Sequence, residues 1–236
     1  SESETLSLMT ELASDELEGR KTGTPGIEAA ALRIERFFRE AGIPPYFEGY
    51  RDEFDVNGQK TSNVVAYLEG TDPKLKNEHI ILGANYDHLG IVQEYEGDSI
   101  ANGANDNASG TVAVLQLAGR LSKLKLNKRS IIFVLFTGEE LGLLGSKHLS
   151  QKLKNQGLDL YLMLNFEMIG VPMNRKDRIA YITGHTRSNL AEFLNSYAGE
   201  HLVGSTELWR SRPLFRMSDN YPFFTEFSVP CQTISS

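Results

Sequence analysis

The sequence predicts a three-layer α/β/α fold around a central mixed, mostly parallel sheet, and three observations carry that reading. Short apolar runs of strand length recur at 63–68, 80–84, 131–136 and 161–166. Between several of them lie segments with apolar residues at helical spacing, and strands alternating with helices form sheets covered on both faces. The chain has 236 residues, 40% hydrophobic content and no low-complexity tract, enough for one large core without staples. A single domain over 1–236 follows, with no internal repeat and no interdomain linker.

In chain order, Ala30, Ile34, Phe37, Phe38 and Ala41 mark an amphipathic helix, closed by Gly42 and the Pro44-Pro45 pair. Strand-like runs follow at 47–56, 63–68 and 80–84. The cluster Asn105-Asp106-Asn107-Ala108-Ser109-Gly110 supplies side chains suited to starting a helix, and Val114, Leu117, Ala118 and Leu121 continue at helical spacing. The runs 131–136 and 161–166 read as buried strands, and a shorter run at 178–182 completes the set.

Composition narrows the function classes. A net charge of -7 and the absence of any Lys/Arg run argue against nucleic acid, which needs a basic footprint to neutralise phosphate. No apolar stretch approaches the roughly 18 residues that span a bilayer, and the Ser1-Glu2-Ser3-Glu4 start does not read as a signal peptide. One cysteine, Cys231, cannot form an intramolecular disulfide, so cysteine usage leaves the compartment open.

Three acidic clusters carry the chemistry: the one at Asp106, Gly138-Glu139-Glu140, and Asn165-Phe166-Glu167. The last two end apolar runs, and open α/β sheets bind ligands outside the carboxyl ends of their strands. Carboxylates gathered there point to a divalent metal that makes a bound water acidic enough to attack at neutral pH. Asp106 has two oxygens with which to bridge metals. Of Glu139 and Glu140, one carboxylate can ligate while the other takes the proton from water, and Glu167 closes the coordination. On local residues alone, other roles remain open: Asp106 as a helix N-cap, the glutamate pair as first-turn residues favoured by a helix dipole, and Glu167 in a structural ion pair.

With these motifs in view, the chain resembles the bacterial leucyl aminopeptidase and glutaminyl cyclase group of co-catalytic zinc metallopeptidases. The resemblance runs from Leu17-Glu18-Gly19-Arg20 and Gly23-Thr24-Pro25-Gly26 through Gly83-Ala84-Asn85-Tyr86-Asp87-His88-Leu89-Gly90. It continues through the Asp106 cluster, Gly138-Glu139-Glu140-Leu141-Gly142, Asn165-Phe166-Glu167-Met168 and Ser218-Asp219-Asn220-Tyr221-Pro222-Phe223. It implies that Asp106 bridges two zinc ions, Glu140 ligates one and Glu167 the other, Glu139 is the general base, and Asp87 supports the centre as a catalytic-site carboxylate. A cis Asp106-Asn107 peptide is implied as well.

Two departures from the family pattern stand out. Asn85 occupies a ligand position where the family has His, and a neutral amide is a poor zinc ligand, so that position is expected to bind zinc weakly or take a harder ion. The family's last ligand histidine lies beyond the Val229-Pro230 region and has no counterpart here, so the sheet is expected to lack its last C-terminal elements. His88 is a candidate to replace the lost ligand, but it faces away from Asn85 if the strand at 80–84 persists that far. His185 reads as a loop or cap residue, and His79, His148 and His201 as surface residues. The stretch 209–224 mixes aromatics with Arg210, Arg212 and Arg216, and the resemblance places it near a side-chain pocket, with Phe215, Arg216 and Tyr221 as substrate-binding residues. The resemblance thus implies a zinc-dependent aminopeptidase acting on the N-termini of peptides, exported to a periplasm or outside the cell, with activity impaired by Asn85. A single-zinc glutaminyl cyclase and a degenerate peptidase fold kept as a binding module are the alternatives.

Overall fold

The protein, represented by a computed structural model, is described over residues 1–173, 176–210 and 212–236, without the side chains of Trp209 and Arg210. Its centre is an eight-stranded sheet in the order β1-β2-β6-β3-β7-β10-β8-β9. The strands are β1 (Arg51–Val56), β2 (Gln59–Leu68), β3 (His79–Asn85), β6 (Ser130–Phe136), β7 (Leu160–Phe166), β8 (Ala180–Ile182), β9 (Val203–Gly204) and β10 (Cys231–Ser235); a separate hairpin joins β4 (Gly90–Tyr95) to β5 (Asp98–Ala101). The central strands β6, β3, β7 and β10 run parallel, while β1 and β2 on one side and β8 on the other run antiparallel to their inner neighbours.

Period-two alternation divides each inner strand between two cores. Val64, Ala66, Leu82, Ala84, Phe133 and Leu135 face one side, where they meet α1 (Glu2–Leu12), α2 (Pro25–Glu40) and α3 (Ser109–Leu124) through Leu12, Ile34, Phe38, Val112 and Leu115. Val65, Ile81, Ile132, Val134 and Phe136 face the other, against α4 (Leu144–Asn155) and α6 (Asn220–Phe227) through Leu149, Leu153 and Phe223. This is the three-layer arrangement expected. The remaining helix, α5 (Leu190–Ala198), adds Ala191 to the first core.

Several elements differ from the sequence reading. The strand expected at 47–56 begins only at Arg51. Before it the chain touches β2 only at intervals, through a Pro45–Ala66 bridge and a Tyr46 N–H bond to the Val65 carbonyl at 3.3 Å, while the Tyr46 and Phe47 rings pack edge to face. Asn57 and Gly58, both at positive φ (53° and 82°), form the two-residue turn from β1 to β2, the conformation that matches strand twist. The strand expected at 178–182 shortens to Ala180–Ile182. At the C-terminal end, β10 lies inside the sheet, pairing with β7 on one side and β8 on the other. Among the described residues, no helix is long and apolar enough to cross a membrane.

Candidate metal centre

Asn85 pairs with Phe136 on β6, and Gly83 with Asn165 on β7, so the carboxyl ends of β3, β6 and β7 lie side by side. Residues that follow these strands therefore emerge at one edge of the sheet: Tyr86, Asp87 and His88 after β3, Thr137 to Glu140 after β6, and Glu167 after β7. Asp106 arrives from the turn before α3, and its peptide bond to Asn107 is cis.

Asp87 organises the glutamate pair. Its buried carboxylate accepts hydrogen bonds from Thr22 Oγ1 at 3.1 Å and from the backbone N–H groups of Glu139 and Glu140 at 3.3 and 3.4 Å. These bonds favour the ionised form, but burial outweighs them and raises the Asp87 carboxyl to about 6. The same turn is held from beneath by Asn63, which accepts from Thr137 N–H at 3.2 Å and donates to the Gly145 carbonyl at 3.0 Å. A side chain at Gly145 would meet Asn63 Oδ1 at 2.2 Å and the Thr137 carbonyl at 2.3 Å, so glycine is required there.

Glu140 lies with its Oε1 2.8 Å from His88 Nδ1. One ligand atom from each of His88, Asp106 and Glu140 falls within 4.8 Å of the others. Glu167 accepts a short hydrogen bond from Ser218 Oγ. Burial pushes its carboxyl up to about 7 against that bond, with further contributions from the negative charges of Asp106 and Glu140. Glu139 is raised far above the carboxylate range, first by burial and then by Asp219, Glu167, Asp87 and Glu140. Asp219 is fully buried and raised with it. The Ser146 hydroxyl beside it favours the ionised form, but burial outweighs that.

The local alternatives do not describe these residues. The N-cap of α3 is Ala108, with no side-chain cap from Asp106. Glu139 and Glu140 precede α4, whose first residue is Leu144. Glu167 meets a hydroxyl and, among the described residues, no cationic partner. Asp87, Asp106, Glu139, Glu140 and Glu167 therefore gather at one edge, as the sequence expects. Asn85 is adjacent but turned aside: its Oδ1 accepts from Asn107 Nδ2 at 2.7 Å, and its Nδ2 donates to the Asp87 carbonyl at 3.3 Å. Asn107 is the tie between strands, because it also donates to the Phe166 carbonyl at 2.9 Å and accepts from Met168 N–H at 3.1 Å.

Phe215, Arg216 and Tyr221 lie together, Tyr221 two residues beyond Asp219. The Phe215 ring packs edge to face on Tyr221 at 6.0 Å and, with Arg216, lines a cavity of about 520 Å³ walled by Ile182, Thr183 and Arg187. None of the gathered carboxylates lines that cavity. The side chains of Trp209 and Arg210, part of the same expected pocket, lie outside the described residues. The sequence offers His88 as a replacement ligand and sets it aside on strand-face alternation, but the chain leaves the strand after Asn85 and that alternation ceases to apply. Asp219 stands inside the Ser218-Asp219-Asn220 motif with no role of its own in the sequence reading, and only the fold brings its carboxylate close enough to raise Glu139.

The donor set suits a divalent cation. Asp106 and Glu140 add oxygens and His88 a ring nitrogen, the mixture that zinc accepts. Crowded carboxylates whose protonation is favoured by mutual repulsion are the environment that a bound cation relieves.

The chain is similar in sequence and fold to several known proteins. The chain matches the model of "Peptidase family M28" over residues 63–235. A probable leucine aminopeptidase of Arthroderma otae is 29% identical over 177 residues, 71% of this chain and 45% of that protein. A probable zinc metalloprotease of Pyrenophora teres f. teres is 35% identical over 159 residues, 67% of this chain and 30% of that protein. The chain thus spans less than half the length of these relatives. Among solved structures, a zinc aminopeptidase from Bacillus subtilis superposes with a TM-score of 0.75 at 15% identity, over 98% of this chain and 84% of that one. A glutaminyl cyclase of Porphyromonas gingivalis superposes with a TM-score of 0.72 at 17% identity, over 100% and 84%. At these identities the structures show a shared fold, and the match over 63–235 shows the family: this chain belongs to peptidase family M28.

Proposed function

We propose that this chain carries the centre of a zinc-dependent aminopeptidase that removes N-terminal residues from peptides. The observation that supports it most is the convergence of Asp106, Glu139, Glu140 and Glu167 from separate segments at one sheet edge, in a chain of this peptidase family. Asp106 and Glu140 would hold zinc, with Glu167 beyond Asp106, while Asn85 is engaged by Asn107 and the Asp87 carbonyl and would contribute no ligand. Zinc supplies Lewis acidity toward water and the scissile carbonyl when bound. Glu139 stands next to the ligand Glu140, with its backbone fixed by Asp87, and carries the proton from water to the leaving amine. The free N-terminus of the substrate would be met by the remaining carboxylates, which makes the enzyme an exopeptidase.

The test is hydrolysis of aminoacyl nitroanilides by the zinc-loaded protein and by Glu139→Gln, with zinc content measured in both. Loss of a general base lowers the rate about 10²–10⁴-fold, and zinc content should stay unchanged. Equal rates in the two proteins would remove Glu139 from the mechanism. Conversion of an N-terminal glutamine peptide to its cyclic form, without hydrolysis of the nitroanilides, would assign the site to cyclisation.

A further inference from the structure

We propose that His88 is the imidazole ligand of the zinc centre, so that one ion is held by His88, Asp106 and Glu140 on the Glu140 side of Asp106; this rests on the zinc reading above. Family resemblance assigns an imidazole to position 85, and here that position is Asn85, whose two amide atoms are both committed to Asn107 and the Asp87 carbonyl. The chain has five histidines. Four are engaged elsewhere: His79 with the Asp159 carbonyl, His148 beside Asp52, His201 with the Asp177 carbonyl, and His185 in the cavity with Arg187. His88 alone lies in the carboxylate cluster.

Its placement is built rather than incidental. The backbone N–H of His88 donates to the Arg20 carbonyl at 3.1 Å, and the Arg20 guanidinium in turn donates to the carbonyls of Asn102 and Gly103 at 2.7 and 3.0 Å. One residue thus ties His88 to the segment that delivers Asp106. Gly103, at φ +59°, lets the ring lie flat against the chain, since a Cβ there would meet His88 Cδ2 at 2.7 Å. The His88 and Glu140 side chains are only 11% and 22% exposed, so the ring is confined beside the carboxylate.

The distances suit coordination. Zinc–nitrogen and zinc–oxygen bonds of about 2.0–2.2 Å put tetrahedral ligand atoms about 3.4 Å apart, and the three donor atoms lie within 4.8 Å of one another. Small side-chain rotations close the difference. Three protein ligands leave the fourth position of a tetrahedral ion open, the arrangement of catalytic zinc sites.

The test is zinc affinity, by competition with a chromophoric chelator, of the whole chain and of His88→Gln, Asp106→Asn and Asn85→Ala. Two-dimensional proton–nitrogen spectra of the histidine rings are recorded on the unsubstituted protein with and without zinc. His88→Gln should weaken zinc more than about 100-fold, beyond the 10–100-fold typical of a partner that only orients a ligand. Asn85→Ala should change affinity less than about threefold on the scale where tenfold is 1.4 kcal/mol. Zinc should move the ring resonances of His88 and of no other histidine, a readout that survives even if His88→Gln folds poorly. Unmoved His88 resonances, with zinc bound and lost in Asp106→Asn, would overturn the His88 assignment and leave the zinc enzyme standing. No zinc binding by the unsubstituted chain would overturn both.

Discussion

Arg20 offers the sharpest link between sequence and site, and Arg20→Met is the perturbation that exposes it. Its guanidinium is 1% exposed and donates to four carbonyls, those of Tyr86, Leu12, Asn102 and Gly103. These four groups come from α1, the loop after β3 and the segment before Asp106, so one side chain closes the floor of the site. Burial lowers its proton affinity to about 10 against the charges of Asp87 and Asp106, which leaves it ionised at neutral pH. Methionine fills a similar volume without donors. An unsatisfied buried acceptor costs about 1–3 kcal/mol, and loss of one buried charge partner about 3–5 kcal/mol. Water can reach the part-buried Asn102 and Gly103 carbonyls, so the net expectation is about 4 kcal/mol on that scale. At about 2–4 °C per kcal/mol for a domain of this size, Tm should fall by about 10 °C. Thermal denaturation of the metal-free protein at neutral pH measures it, with exposed Arg36→Met as control. A drop of less than about 2 °C, under 1 kcal/mol on that conversion, would refute the idea that these carbonyls depend on Arg20.

Other predictions test neighbouring parts. Metal-free protein should be more stable at pH 5 than at pH 8: Asp87 and Glu167 are raised to about 6 and 7 in the fold, so the stability they contribute is present below their unfolded values near 4 and is lost as pH rises through 6–7. Urea unfolding at the two pH values checks this, and equal midpoints would contradict it. Ser218→Ala removes the hydroxyl that donates to Glu167 and accepts from Asn165 Nδ2 at 2.8 Å, and should cost about 1–3 kcal/mol; urea unfolding within experimental error of the parent would show that the network repacks freely. Gly145→Ala forces a methyl against Asn63 and the Thr137 carbonyl and should cost about 1–3 kcal/mol while loosening zinc, both read by zinc titration and melting; unchanged affinity would separate the Glu139-Glu140 turn from α4.

The legible parts of this chain were those in which one physical signal dominated. The run 131–136 is apolar and buried along its whole length, 80–84 is buried from Ile81 onward, and 161–166 buries Met163 to Asn165 behind an exposed Tyr161, so their apolar content reads directly as β3, β6 and β7, and the carboxylates that follow β6 and β7 read as a site. By contrast, β10 places Gln232 and Thr233 inside the protein, where Gln232 donates to the Thr183 and Gly184 carbonyls and Thr233 to Asn220. A polar strand satisfied by tertiary hydrogen bonds carries no hydrophobic alternation to detect. The hairpin of β4 and β5 exposes Ile91 and Tyr95, so its pattern reports no core. α4 was equally hidden, because its Lys, Ser and Gln positions outnumber the leucines it buries. His88 and Asp219 depend on where the chain goes after a strand ends or before a helix begins, which only the assembled sheet determines.

The central claim is that the strand-end carboxylates hold a catalytic zinc, and zinc content after incubation and desalting tests it most directly. The account predicts one zinc per chain in the parent protein and none in Asp106→Asn, which keeps the side-chain volume and removes the charge. A parent that retains no zinc, or an Asp106→Asn protein that retains as much as the parent, would contradict it.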